Sequence, residues 1–315
     1  MNISMRYFLI VAEELNISHA ADRLFVSQQC VSSHIKKLEE HYQAELFIRK
    51  PTFHLTPEGE ALRRSLLRQQ VLESSLSEEL SALKKQHTNR IRIGIHNTRA
   101  VVLLPRVIGQ FKARFPDALI EIYQGSTSDF EAKLLNGELD LFIATDTIER
   151  LEFKCVFLRK EQNFLVSSAS FLKTHGMDPI AISRRIFSTQ LSAFPFICSP
   201  DGSYLQTKID GWLATQKVTI RKEIKVDTYQ MQLLMAAQNV GVCFCPQMFL
   251  PLIADLNRSS KEESRLLPIS IDGFDLPTEL SIIMHRDAYQ SPLLREFSSV
   301  LTQALSDALD TEFIS

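Results

Sequence analysis

The chain has 315 residues, 35 Lys+Arg against 37 Asp+Glu and 45% hydrophobic residues, the composition of a globular protein of about two domains. A formal net charge of −2 excludes histone-like binding of nucleic acid through bulk positive charge, though not through a local basic surface. Five cysteines (Cys30, Cys155, Cys198, Cys243 and Cys245) are too few, and odd in number, for a disulfide scaffold, so they read as reduced thiols. No run approaches the ~18 apolar residues of a membrane span. The apolar run from Tyr7 to Ala12 ends at Glu13-Glu14 without a basic start or a small-residue cleavage site. The expected location is cytoplasmic, with no membrane partner.

The first segment, residues 1–58, holds short helices and no glycine before Gly59. Met5, Phe8, Leu9, Ala12 and Leu15 recur at helical spacing, and Ser18 is read as the cap of a short second helix. Ser27 caps a third, in which Val31, Ile35 and Leu38 share one face and Gln28, Gln29, Ser32, Ser33 and Lys36 the other. Two short helices, a tight turn and a third helix with a polar outer face describe a helix-turn-helix, or more blandly a three-helix bundle. Leu46–Lys50 and His54–Thr56 around Pro51-Thr52-Phe53 add a β-hairpin wing, which would set Arg49 and Lys50 against phosphates. Residues 1–55 carry six basic and six acidic side chains, so phosphate attraction by one copy is weak and dimerisation is expected.

These residues resemble the N-terminal domain of LysR-type transcriptional regulators. The likeness runs from Phe8-Leu9-x-Val11-Ala12-Glu13 through Ala20-Ala21-x-x-Leu24-x-Val26-Ser27-Gln28 and Val31-Ser32-x-x-Ile35-x-x-Leu38-Glu39. It continues into Leu46-Phe47-x-Arg49 and Leu55-Thr56-x-x-Gly59. Where the family usually has a glycine after the recognition helix, this chain has Tyr42-Gln43-Ala44, so Gln43 must adopt the turn conformation. The resemblance implies double-stranded DNA as a partner, with Ser27, Gln28, Gln29, Ser32, Ser33, Lys36, Arg49 and Lys50 as the contacting set.

Residues 59–89 read as a linker helix, with Thr56 as cap, Pro57 at its first position, and Glu58 and Glu60 at its positive end. Leu62, Leu66, Leu76, Leu80 and Leu83 form a seam of spacing near 3.5, read as a dimerisation stripe against the alternative of ordinary core packing. The resemblance further implies a tetramer of two such dimers.

From Ile91 onward, strand-like runs alternate with amphipathic helices, as in an α/β fold. The region 90–315 resembles the family's effector-binding domain, a fold like that of type 2 periplasmic binding proteins. Subdomain I is expected over about 90–162 and 266–315, and subdomain II over about 163–265. Strands are predicted at Ile91–Ile95, Ile120–Ile122, Leu139–Ile143, Phe196–Cys198, Ile224–Val226, Val242–Phe244 and Leu280–His285, with a helix beginning after Leu103-Leu104-Pro105 and a closing helix over Pro292–Leu309.

In such folds ligands sit beyond the C-terminal ends of strands, where helices begin. Those positions give Asn97, Thr98, Arg99, Ser126, Thr127, Ser128, Gly202, Ser203, Asp227 and Thr228 as candidates for holding a small polar or anionic effector. Each hydroxyl taken singly reads equally as a helix cap, and Arg99 as a carboxylate partner or an exposed side chain. Some relatives sense oxidants, but Cys243 and Cys245 are two apart on a strand and point to opposite faces. Scattered histidines offer no metal spacing, and no P-loop, dinucleotide fingerprint or nucleophile elbow is present, so neither cofactor nor enzymatic activity is expected. The expected function is sequence-specific, effector-modulated transcriptional regulation, acting on the transcription machinery. The alternative is a cytosolic sensing module that works through protein partners.

Overall fold

The computed structural model describes residues 1–83, 89–145, 150–178 and 186–309. The chain divides into two compact units: the head with its long helix, joined by 128–140 and 285–291, and a larger α/β unit formed by the rest.

In the head, α1 (Ile3–Glu14), α2 (Ile17–Leu24) and α3 (Gln28–Tyr42) pack around Phe8, Val11, Ala20, Val31 and Ile35. Burial of Val31, Ile35 and Leu38 turns the polar stripe of α3 outward. The cap of α2 is Asn16, not Ser18: its Oδ1 accepts hydrogen bonds from the Ser18 and His19 amides at 2.8 and 3.2 Å. Asparagine can close this turn because its carbonyl reaches two otherwise unpaired donors at once. Without glycine, the helices end on Leu15, Phe25 and Gln43, all in the left-handed region at φ 46°, 57° and 51°. Gln43 thus takes the conformation its position demands.

Strands β1 (Phe47–Ile48) and β2 (His54–Leu55) pair antiparallel as the expected wing. Thr56 Oγ1 accepts from the Gly59 amide at 2.9 Å and so caps α4 (Pro57–Leu83). Gly59 has no room for a side chain, because a Cβ there would lie 2.1 Å from the Leu46 carbonyl oxygen. The linker does not stand apart from the head. Leu66 and Leu67 are buried in the head's own core and Leu62 packs against it.

In the larger unit, β3 (Arg90–Gly94), α5 (Asn97–Arg114), β4 (Leu119–Tyr123), β5 (Leu141–Thr145), β6 (Phe153–Glu161) and β12 (Thr278–His285) build the first sheet, ordered β4-β3-β5-β12-β6. The pairs β3–β4 and β3–β5 are parallel, and β12 runs antiparallel to β5. In sequence α6 (Thr127–Leu135) and Gly137, at φ 70°, fall between β4 and β5, but from Ser128 onward they belong to the head's unit. Helix α5 begins before Leu103 and runs through Pro105, so that proline is inside the helix rather than ahead of it.

A second sheet is ordered β10-β7-β11, from β7 (Asn163–Ser168), β10 (Cys243–Pro246) and β11 (Leu266–Ile269), all antiparallel. Beside it β8 (Pro195–Cys198) and β9 (Arg221–Lys225) form a parallel pair. The helices here are α7 (Ala169–Thr174), α8 (Tyr204–Thr215), α9 (Tyr229–Ala237) and α10 (Leu250–Ser259), with α11 (Pro292–Leu309) closing the chain. The return to the first sheet comes later than residue 266. Leu266 and Ile269 are buried in β11 and pair with Ser168 and Leu165, so the crossing falls between β11 and β12. Two crossings, β6 to β7 and β11 to β12, therefore connect the sheets.

Candidate DNA interface and effector cavity

On α3, Gln28, Gln29, Ser33 and Lys36 are exposed and Ser32 is half-buried. Gln28, Ser32 and Lys36 recur every four residues and share one stripe. Ser27 is committed to the helix as its cap, accepting from the Cys30 amide at 3.2 Å. Beyond the wing turn Lys50 is exposed, and Arg49 Nη2 lies 3.5 Å from Glu39. Such an exposed pair is worth little, so a phosphate can draw Arg49 away. Arg23 bridges Glu13 and Glu14 at 2.7 and 3.0 Å. That offsets the acidic charge of α1, while on α3 Lys36 lies 3.8 Å from Glu40 in an exposed pair of little worth. Phe25, 95% exposed in the turn between α2 and α3, was not legible as a surface aromatic from spacing.

The leucine seam separates into two groups. Leu66 is 3% exposed and Leu62 half-buried, because the head core already uses them, which removes both from an open dimerisation stripe. Leu76 (56% exposed) and Leu80 remain open and are joined by Leu72, which the 3.5 spacing had passed over. The Leu83 side chain and residues 84–88 lie outside the described residues.

In the larger unit a cavity of about 400 Å³ is lined by Thr98, Arg99, Thr127, Gly202, Ser203 and Asp227, six of the ten expected residues. Helix α5, helix α8, whose Ser203 cap accepts from the Gln206 amide at 3.4 Å, and helix α9 begin at its wall, and Thr127 is the first residue of α6. The other four do not line it. Thr228 is the cap of α9, accepting from the Met231 amide at 3.3 Å, and Asn97 accepts from Gln124 Nε2 at 3.1 Å. Ser126 and Ser128 are exposed away from the lining.

The lining adds His96, Thr145, Ser199, Tyr204, Tyr229 and Thr278, which the sequence reading missed. Thr145 and Ser199 could have been found, since each ends or follows a strand; the histidine and the tyrosines gave no local signal. His96 Nε2 lies 3.2 Å from Thr127 Oγ1. Burial, and then the neighbouring Arg99, hold its imidazole below the usual histidine range. Arg99 is neither exposed nor available as a bare cation: it is buried, with Nη2 2.5 Å from Glu161 Oε1. Burial raises the Tyr229 hydroxyl, which therefore stays neutral where it meets the cavity.

Residues 84–306 match the family described as "LysR substrate binding domain", and residues 4–60 match "Bacterial regulatory helix-turn-helix protein, lysR family". The chain is 26% identical over 307 residues to the Hca operon transcriptional activator HcaR of Escherichia coli K12, covering 96% of this chain and 97% of that protein. Among solved structures, a full-length OxyR variant from Pseudomonas aeruginosa shares the fold at TM-score 0.63 and 19% identity, covering 97% of this chain and 94% of that one. Full-length CbnR complexed with its target DNA does so at TM-score 0.53 and 19% identity, covering 96% and 98%. With both halves matched in order, this chain belongs to the LysR family and is a DNA-binding transcriptional regulator with an N-terminal helix-turn-helix head and a C-terminal effector-binding domain.

Proposed function

We propose that the chain reads DNA as a two-fold dimer and that a small polar effector in the cavity modulates that binding. The observation that carries this reading is the exposed stripe of Gln28, Gln29, Ser33 and Lys36 beside the wing cations, on a helix held by a buried apolar face. Glutamine can bind adenine in bidentate fashion, while Arg49 and Lys50 serve the backbone. The open leucines of α4 are the dimer seam, and a tetramer follows from pairing two dimers. The chain acts as a regulator and not as an enzyme, works in the cytoplasm, and passes its output to the transcription machinery.

Selection of bound duplexes from a random pool, followed by footprinting, tests the core of this. The expected result is an enriched site with two related half-sites one helical turn, or a multiple of it, apart. No enrichment, or a single unpaired half-site, would overturn dimeric readout.

A further inference from the structure

The charges around the cavity do not suit a simple anion. Arg99 is the one guanidinium in the described lining, and the buried Glu161 carboxylate already matches it. Asp227 also lines the cavity, and among the described residues it has no ion-pair or hydrogen-bond partner. The nearest cation in sequence, Lys225, is held 2.6 Å from Asp201. The cavity therefore pairs two kinds of wall. One is made of helix starts and hydroxyls, with Thr98, Thr127 and Ser203, and favours a carboxylate through oriented N–H and O–H donors. The other is an acceptor-only carboxylate that favours an ammonium.

A plain carboxylate would meet repulsion from Asp227, and a plain amine would meet the positive ends of α5, α8 and α9. A molecule with both charges is opposed by neither. We propose that the effector is an α-amino acid, its carboxylate on the helix starts and its ammonium on Asp227. This rests on reading the cavity as the effector site. At about 400 Å³ the cavity lies toward the small end of ligand sites, which run from about 300 to 1,000 Å³.

The test uses the full chain and calorimetry, with the twenty proteinogenic L-α-amino acids as probes. For each that binds, its des-amino carboxylate and its decarboxylated amine are titrated as well. The expected result is at least one binder whose two truncated forms bind about tenfold more weakly or worse. Asp227→Asn should erase the preference for the amino acid over its des-amino form, and Asp227→Glu should restore part of it. Thr98→Val should weaken amino acid and des-amino acid alike. Asp227 is exposed, and a thermal melt of each variant checks that it folds.

Equal binding of the amino acid and its des-amino form to the unaltered chain would overturn the proposal while leaving the cavity as a carboxylate site. Binding by none of the twenty would also overturn it. Affinity unchanged in both Thr98→Val and Asp227→Asn would place the ligand elsewhere, and the cavity reading would then fail with it.

Discussion

Arg99 Nη2 lies 2.5 Å from Glu161 Oε1, and the two side chains are 8% and 0% exposed. The pair joins the first turn of α5 to the last residue of β6, where the chain leaves the first sheet for the second. Met248, just after β10, meets both: its amide donates to Glu161 Oε2 at 3.4 Å, and its sulfur accepts from Arg99 Nη1 at 2.6 Å. One wall of the cavity is thus fastened to the crossing between sheets. Removing Glu161 strands a buried guanidinium, which costs about 3–5 kcal/mol, whereas replacing both partners by apolar residues can be close to neutral. Glu161→Ala should therefore shift the denaturant midpoint strongly downward, and the double change Arg99→Met with Glu161→Leu should recover most of it. A single variant within about 1 kcal/mol of the parent would mean that the pair is not holding the crossing.

Gln28→Ala and Arg49→Ala should weaken DNA binding in different ways. Loss of the amide should cost about 1–3 kcal/mol on the selected site and little on random duplex. Loss of the guanidinium should weaken both and reduce the salt slope by about one. Gel shifts across a salt series separate the two, and equal loss on both DNAs for Gln28→Ala would remove it from base readout.

The division of the leucine seam gives opposite phenotypes at neighbouring positions. Leu66→Ala opens a cavity in the head core and should lower head stability by about 2–5 kcal/mol. Leu76→Glu with Leu80→Glu touches exposed positions and should leave stability nearly intact while dissociating dimers. Sedimentation alongside thermal melts makes the distinction. A dimer that survives the double change would place the main interface elsewhere.

His96 makes stability sensitive to acid. Its folded pKa lies below the ordinary value of 6.5, so just below that pH the unfolded chain binds a proton that the folded chain refuses. Stability is then present above about 6.5 and is lost as pH falls through the depressed folded value. His96→Gln should flatten this acid limb in melts taken from pH 8 to pH 5.5, and an unchanged slope would exclude His96 as its source.

Burial pushes the Cys198 thiol up to about 11, outweighing the nearby Lys222 and Lys225 charges, and raises Cys243 and Cys245 as well. At pH 7 the Cys198 thiolate fraction is then about one in ten thousand, too low for a peroxide-reactive thiol. Iodoacetamide at pH 7.5 should label the exposed Cys155 well before these three. Early labelling of Cys198, read by peptide mass, would reopen oxidant sensing.

Much of this protein is written locally. The caps at Ser27 and Thr56, the buried face of Val31, Ile35 and Leu38, the αL turn at Gln43 and strands β3, β4, β5, β8, β9, β10 and β12 follow from periodicity and turn chemistry acting over a few residues, whereas β6, β7 and β11 are not marked by it. Those patterns also carry the family likeness. What they do not carry is which partner a residue meets across the fold. The sequence offers Arg99 a carboxylate or open solvent, and only tertiary structure brings Glu161, 62 positions away, against it and leaves Asp227 in the cavity lining with no ion-pair partner among the described residues. Leu66 and Leu76 look alike along the helix, yet one faces the head and the other does not. Local spacing sets the face on which a side chain stands, whereas burial and charge balance are sums over neighbours that the chain supplies from distant positions.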